Sequence, residues 1–217
     1  MMQLTGPRRA PTAGGAPREI VLLLHGLGAD GEDLIGLAPY IAQHRPHALF
    51  LAPNAPFPCD MAPYGYQWFS LQDRTPSMML AGVQAVAPML NDYIDAELAA
   101  SGLSDDRLVL VGFSQGTMMS LHVAPRRPHP VAGVVGFSGA LLAADRLGAE
   151  AVSKPPVLLI HGDADPIVPF QAMAAAEGAL RAAGIEVRSE RRPGLPHSID
   201  EPGIRRAVAF MGETLGP

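Results

Sequence analysis

Apolar stretches of strand length alternate along the chain with segments whose apolar residues recur every three or four positions. The first stretch, Glu19 to His25, is an unbroken β-rich run of the kind that is buried on both faces of a parallel sheet. The longest helical pattern begins at Ser77 and is ended by Gly102. The patterns predict strands over 19–25, 48–51, 107–112, 131–137, 157–161 and 185–190, and helices over 33–43, 77–102, 115–124, 170–183 and 201–215. This alternation predicts an α/β fold with a mostly parallel central sheet, helices on both faces and no large lid domain.

Two segments fall outside the alternation. Residues 1–18 are rich in Gly, Pro and Arg and lack the apolar region of a secretory signal, so we expect a flexible leader before a single domain over 19–217. Residues 52–76 are proline-rich without a helical period, which predicts a long ordered loop, and loops of that length are commonly functional. Within the predicted helix 33–43, Pro39 predicts a kink or an early end.

The charge balance and the cysteine content narrow the classes of function. The chain of 217 residues carries 16 basic and 21 acidic residues, a net charge of −5. Nucleic acids and anionic membranes call for a basic face, so neither is an expected partner. No apolar run approaches the ~20 residues of a membrane span, and the single cysteine, Cys59, excludes an intrachain disulfide. We expect a cytoplasmic protein, and the sequence leaves open whether it forms a homodimer.

The strongest chemical signal is the motif G-F-S-Q-G, Gly112 to Gly116, between a predicted strand and a predicted helix. A serine on a sharp turn there presents its hydroxyl at the edge of the sheet, and the flanking glycines let strand and helix approach closely. The backbone N–H of Gln115, at the start of the helix, then points to where an oxyanion forms. The motif favours Ser114 as a nucleophile over the alternative of a simple helix cap.

A nucleophilic serine needs a base, and the base needs an acid that orients it. The loop after the strand P-V-L-L-I offers both Asp163 and Asp165, and the residues alone leave that choice open. Of the histidines that follow Ser114, His122 lies in a predicted helix and His161 ends a strand just ahead of both aspartates. His197 lies in a loop between the last strand and the last helix, where parallel α/β sheets place their chemistry. The chain order Ser, Asp, His favours His197 as the base.

The glycine-rich segment H-G-L-G-A-D-G, residues 25–31, contains G-x-G-x-x-G and raises the alternative of a dinucleotide site. The second predicted strand ends without the acidic residue that would bind the ribose. The carboxylates of Asp30, Glu32 and Asp33 at this site would also repel the phosphates of a dinucleotide. We instead expect a loop whose backbone N–H at Leu27 is a second oxyanion donor. A metal-dependent hydrolase is disfavoured because His25, His161 and the two aspartates follow no metal-binding spacing.

Six segments, L-L-L-H-G-L-G-A-D-G-E-D, L-A-P-N-A-P, W-F-S-L, G-F-S-Q-G, H-G-D-A-D-P-I-V-P and P-H-S, occur in this order along the chain. In this combination the chain, over about residues 19–215, resembles the phospholipase/carboxylesterase family of α/β hydrolases, which includes bacterial carboxylesterases and acyl-protein thioesterases. The resemblance implies an α/β-hydrolase fold with Ser114 as nucleophile, Asp165 as acid and His197 as base. It also implies Leu27 and Gln115 as the oxyanion donors.

Two positions depart from the family pattern: Thr117 stands where a second glycine is common, and Ser70 stands where Asp is common. Neither belongs to the implied triad, but both bear on the substrate pocket. Trp68, Phe69 and Leu71, in the long loop, are candidates for an apolar acyl site, with core packing as the equal alternative.

The sequence thus predicts a serine carboxylesterase that hydrolyses small or short-chain esters through an acyl-enzyme. An acyl-protein thioesterase or a lysophospholipase with the same triad is an alternative, because acyl transfer is the same chemistry in each. A noncatalytic binding module is the alternative from a different class. We expect neither a cofactor nor a metal.

Overall fold

The computed structural model of the protein describes residues 4–216. Its strands are β1 (Arg8–Arg9), β2 (Glu19–Leu24), β3 (Ala48–Leu51), β4 (Phe57–Pro58), β5 (Tyr66–Gln67), β6 (Leu108–Phe113), β7 (Gly133–Phe137), β8 (Val157–Gly162) and β9 (Val187–Arg192). The α-helices are α1 (Gly31–Leu34), α2 (Ala38–Ala42), α3 (Pro76–Ser101), α4 (Gln115–Val123), α5 (Leu147–Glu150), α6 (Gln171–Ala182) and α7 (Glu201–Leu215). The main sheet has the order β1-β3-β2-β6-β7-β8-β9 and is parallel throughout except where β1 meets β3. The predicted α/β class is confirmed.

The sheet is buried on both faces because its central strands are apolar at almost every position. Along β2, Ile20, Leu22 and Leu24 join one core cluster, and Val21 and Leu23 join the other. The first cluster is covered by α3, α4 and α6, and the second by α2 and α7. Successive side chains of a strand point to opposite faces, so an unbroken apolar run needs helices on both sides. The described residues contain no separate lid domain.

Two segments differ from their predicted form. Over 31–42 the chain forms α1, a 3-10 turn at Ile35–Leu37 and then α2, with Pro39 near the start of α2. Proline lacks an N–H and fits the first helical turn, so Pro39 lies in the first turn of a second helix, at the place where the sequence predicted a kink or an early end. In the loop 52–76, β4 and β5 form a two-stranded hairpin.

The segment expected to be a flexible leader carries a strand. Arg8 and Arg9 pair antiparallel with β3, and the backbone N–H groups of Ala52 and Asn54 donate to carbonyls of this segment. Leu4 is buried in the core. The open edge of β3 offers unpaired backbone groups, which this segment satisfies although its sequence has no strand pattern.

The carboxyl ends of β2, β6, β8 and β9 lie at one edge of the sheet because these strands run in parallel. The loop after β2 begins at His25, and Ser114 follows β6. The loops after β8 and β9 carry Asp165 and His197. Four distant parts of the sequence therefore reach the same edge.

Candidate active site

Ser114 lies on the sharp turn between β6 and α4. Its backbone has φ 54° and ψ −113°, a conformation that costs free energy for a residue with a side chain. A Cβ on Gly112 would lie 2.4 Å from the backbone nitrogen of Thr117, and one on Gly116 would lie 1.8 Å from the carbonyl oxygen of Leu24. Both glycines are required because the helix starts in direct contact with its own strand and with β2. The turn is the one that the motif predicts.

The neighbouring strand holds this turn in place. The backbone N–H of Ser114 donates to the carbonyl of Phe137 at 2.9 Å. The Thr117 hydroxyl lies 2.8 Å from the carbonyl oxygen of Gly112 and 2.9 Å from that of Phe137. Thr117, one of the two departures from the family pattern, is buried below the serine, where it joins the ends of β6 and β7. The other, Ser70, is exposed and accepts a hydrogen bond from the backbone of Gln72.

Asp165 and His197 form a hydrogen-bonded pair, with 2.7 Å between the carboxylate Oδ2 and the ring Nδ1. The Asp165 carboxylate is fully buried, and its other oxygen accepts from the backbone N–H groups of Ile167 at 2.8 Å and Val168 at 3.0 Å. Burial alone would raise the pKa of Asp165, but these hydrogen bonds, led by the one from His197, hold it below the usual value. The carboxylate is therefore ionised at neutral pH and fixes the orientation of the His197 ring.

The structure separates the two aspartates that the sequence left as alternatives. The Asp163 carboxylate binds the guanidinium of Arg191 and accepts from the backbone N–H of Gly194 at 2.6 Å. It therefore braces the loop that carries His197, whereas Asp165 contacts the His197 ring itself.

The two other candidate histidines are both buried. The His161 Nε2 donates to the carbonyl of Val168 at 2.9 Å and lies 3.3 Å from the Asp165 carboxylate. His122 lies within α4, and its Nδ1 has no hydrogen-bond partner among the described residues. Burial, reinforced by the charge of Arg126, lowers the pKa of His122 to about 4.

The end of β6 contacts His197 through Phe113. The Phe113 ring, next in sequence to Ser114, lies with its centroid 4.8 Å from that of the His197 ring. Within residues 4–216 no direct hydrogen bond joins the Ser114 hydroxyl to His197. In unliganded enzymes the bond between nucleophile and base is often long and shortens only when substrate binds.

The glycine-rich loop after β2 lies directly against the serine. A Cβ on Gly26 would be 3.3 Å from the Cβ of Ser114. Gly28 has φ 81°, and its N–H donates to the carbonyl of Tyr66 in β5 at 2.9 Å. The half-buried Leu27 lies between these two glycines. On the other side of the serine, Gln115 is the first residue of α4, so its N–H is among those that a helix leaves without an internal partner.

The residues expected to line an acyl site are mostly in the core. Trp68 is fully buried, Phe69 is 2% exposed and Leu71 is half-buried against the same cluster. The indole N–H of Trp68 donates to the carbonyl of His25 at 2.9 Å. For Trp68 and Phe69 the structure shows core packing, the alternative to an acyl site, and the buried indole N–H of Trp68 is satisfied by the loop after β2.

Comparison with known proteins identifies the family. The phospholipase/carboxylesterase family model matches residues 11–215. The chain belongs to this family. Members of the phospholipase/carboxylesterase family are carboxylic ester hydrolases, so the predicted family and enzyme class are both confirmed.

Individual relatives agree with this assignment. Esterase YpfH of Escherichia coli K12 is 28% identical over 198 residues, which cover 91% of this chain and 84% of the relative. Acyl-protein thioesterase 1 of Schizosaccharomyces pombe is 30% identical over 207 residues, covering 90% of this chain and 91% of that protein. Among solved structures, esterase PE8 superposes with a TM-score of 0.94 at 40% identity and covers 98% of this chain and 100% of its own.

The described residues contain neither a cluster of metal-ligating side chains nor a membrane-spanning helix. In residues 4–216 no three His, Cys, Asp or Glu side chains lie close enough to hold a metal ion together. No helix in the same range has the length and apolar character to cross a membrane.

Proposed function

We propose that this ester hydrolase is a serine carboxylesterase acting through an acyl-enzyme on Ser114, His197 and Asp165. The observation that carries the proposal is the strained backbone of Ser114, at the sheet edge where the Asp165–His197 pair also lies. Strain of this kind is kept where the surrounding structure enforces it for a purpose. A serine that only capped a helix would not need φ 54° between two glycines.

The chemistry proceeds in two halves. His197 takes the proton of the Ser114 hydroxyl as its oxygen attacks the ester carbonyl, and the ionised Asp165 stabilises the imidazolium. The N–H groups of Leu27 and Gln115 stabilise the negative charge on the tetrahedral carbonyl oxygen. His197 returns the proton to the leaving alcohol and leaves the acyl group on Ser114. It then takes a proton from water, whose oxygen attacks the acyl carbonyl, and returns that proton to the Ser114 oxygen as the ester bond to Ser114 breaks and the acid leaves.

We propose small or short-chain esters as substrates. The bulky side chains of the long loop, Trp68 and Phe69, are committed to the core, and residues 4–216 add no separate lid domain that would cover a long acyl chain. A second candidate is a thioester, favoured by the 30% identity with acyl-protein thioesterase 1 of Schizosaccharomyces pombe. Rates on p-nitrophenyl esters from C2 to C16 and on the matching thioesters separate the two. The proposal predicts the highest kcat/KM at C2 to C6 on oxygen esters.

The nucleophile is tested by p-nitrophenyl acetate hydrolysis with Ser114→Ala. We expect kcat/KM to fall by at least about 10³-fold, because only binding and the oxyanion donors remain. Ser101→Ala, at the end of α3 and away from the sheet edge, is the matched control and should keep the wild-type rate. Activity that survives Ser114→Ala contradicts the assignment.

A further inference from the structure

The peptide between Gly26 and Leu27 is held from the side opposite its N–H. The Gly26 carbonyl oxygen lies 2.7 Å from the His25 Nδ1 and also accepts the Ala29 N–H at 3.3 Å. The chain has no cis peptide among its described residues, so C=O and N–H of this unit point in opposite directions. Whatever fixes the Gly26 carbonyl therefore fixes the direction of the Leu27 N–H.

The His25 ring is set in one protonation state by its two contacts. The backbone N–H of Ala55 donates to Nε2 at 2.9 Å, so Nε2 is an acceptor and carries no proton. Nδ1 must then carry the proton and donate it to the Gly26 carbonyl. His25 is fully buried, and burial lowers its pKa, which keeps the ring neutral. The ring is thus a fixed donor to this carbonyl at neutral pH.

The same loop is connected to the start of α4 by buried hydrogen bonds. The Trp68 indole N–H donates to the His25 carbonyl at 2.9 Å. The Gln115 side chain accepts from the Trp68 backbone N–H at 2.9 Å and donates to the Phe69 carbonyl at 2.7 Å. Both Trp68 and Gln115 are fully buried. A continuous chain of contacts therefore runs from Gln115 through Trp68 and His25 to the Gly26–Leu27 peptide.

We infer that His25 and Trp68 are positioning residues that set the relative geometry of the two oxyanion donors, the N–H groups of Leu27 and Gln115. The inference rests on the proposed function, which assigns those two groups to the oxyanion. His25 and Trp68 act on the backbone and do not touch the reacting atoms. Their hydrogen bonds are fully satisfied and shielded from water, which makes the arrangement rigid before substrate arrives.

The test compares variants that keep or remove single donors. His25→Leu removes the donor to the Gly26 carbonyl, whereas His25→Asn places an amide N–H near the position of Nδ1 and should restore part of the effect. Trp68→Phe removes the indole N–H together with the five-membered ring that carries it and keeps an aromatic side chain in the core. His122→Leu is the matched control, because it replaces a buried histidine outside this chain of contacts.

The readouts separate positioning from folding. Active sites are titrated with a fluorophosphonate, so that rates refer to competent enzyme only. We expect kcat on p-nitrophenyl acetate to fall about 100-fold in His25→Leu and about 10-fold in Trp68→Phe, with KM changed less than threefold. The affinity for a trifluoromethyl ketone, whose adduct carries an oxyanion, should fall by the same factors. Relative to His25→Leu, His25→Asn should recover at least a third of the loss in log kcat.

The outcomes distinguish this inference from the proposed function. If wild-type enzyme is not phosphonylated on Ser114, the proposed function fails. If wild type is labelled while His25→Leu and Trp68→Phe keep wild-type kcat and ketone affinity, only the role of His25 and Trp68 is refuted. Should His25→Leu not fold, Trp68→Phe decides alone, since it keeps an aromatic ring in the core and loses the indole donor.

Discussion

Two carboxylates separated by one residue have different tasks in this protein. Asp165 is buried, ionised and bound to the His197 ring, whereas Asp163 binds Arg191 and the backbone of Gly194. Which carboxylate meets the histidine is decided by the path of the loop after β9, which no local pattern encodes. The sequence therefore left two candidates, and the family resemblance favoured the one that the structure places against His197.

The roles of the two aspartates predict very different losses of activity when each is replaced by asparagine. Asp165→Asn removes the charge that stabilises the imidazolium and allows the wrong tautomer of His197, so kcat should fall by about 10³- to 10⁴-fold. Asp163→Asn should stay within about threefold of wild type. Steady-state hydrolysis of p-nitrophenyl acetate measures both, and equal losses in the two variants would show that the pairing is misassigned.

At the scale of the elements, the turn between β6 and α4 is the part that sequence predicts best. Its strand, serine, glycines and helix are contiguous, so short-range sterics determine its shape. The role of Trp68 could not be predicted from the sequence, because it depends on a contact between residues that are far apart along the chain. Its burial depends on the His25 carbonyl, 43 residues away in sequence, as the acceptor of its indole N–H. The strand at Arg8–Arg9 was missed because it forms only against the open edge of β3.

The close contact between α4 and β2 predicts an unequal response of two glycines to alanine. Gly116→Ala would drive a methyl into the Leu24 carbonyl, so we expect the free energy of unfolding to fall by at least about 3 kcal/mol. Gly178→Ala, in α6, meets no atom within 4 Å and should be neutral or stabilising by up to about 1 kcal/mol. Urea denaturation measures both values. A small effect at Gly116 would mean that helix and strand are farther apart than described.

For the whole molecule, the parallel sheet collects loops from distant parts of the chain at one edge, and this convergence is what the alternation of apolar runs predicted. The same packing buries ionisable groups that do no chemistry. His122, in α4, is neutral in the folded protein because burial lowers its pKa from 6.5 to about 4. Its protonation must therefore oppose folding.

This burial predicts an acid-dependent loss of stability. The contribution of neutral His122 is fully present above pH 6.5, where the unfolded chain is also neutral, and is lost as pH falls from 6.5 to about 4. Over that interval the wild-type free energy of unfolding should drop by up to about 3 kcal/mol more than that of His122→Leu. Urea denaturation at pH 7, 6, 5 and 4 compares the two proteins. If the free energies of unfolding of the two proteins fell in parallel with pH, the lowered pKa of His122 would be contradicted.

The most direct test of the account is to identify the residue that reacts as a nucleophile. Purified protein is treated with a fluorophosphonate and mapped by peptide mass spectrometry, with His197→Gln as the comparison. We predict a single phosphonyl adduct on the peptide that contains Ser114, formed at least about 100-fold more slowly when His197 is replaced. An adduct on another residue, or none in a preparation that hydrolyses p-nitrophenyl acetate, would contradict the account.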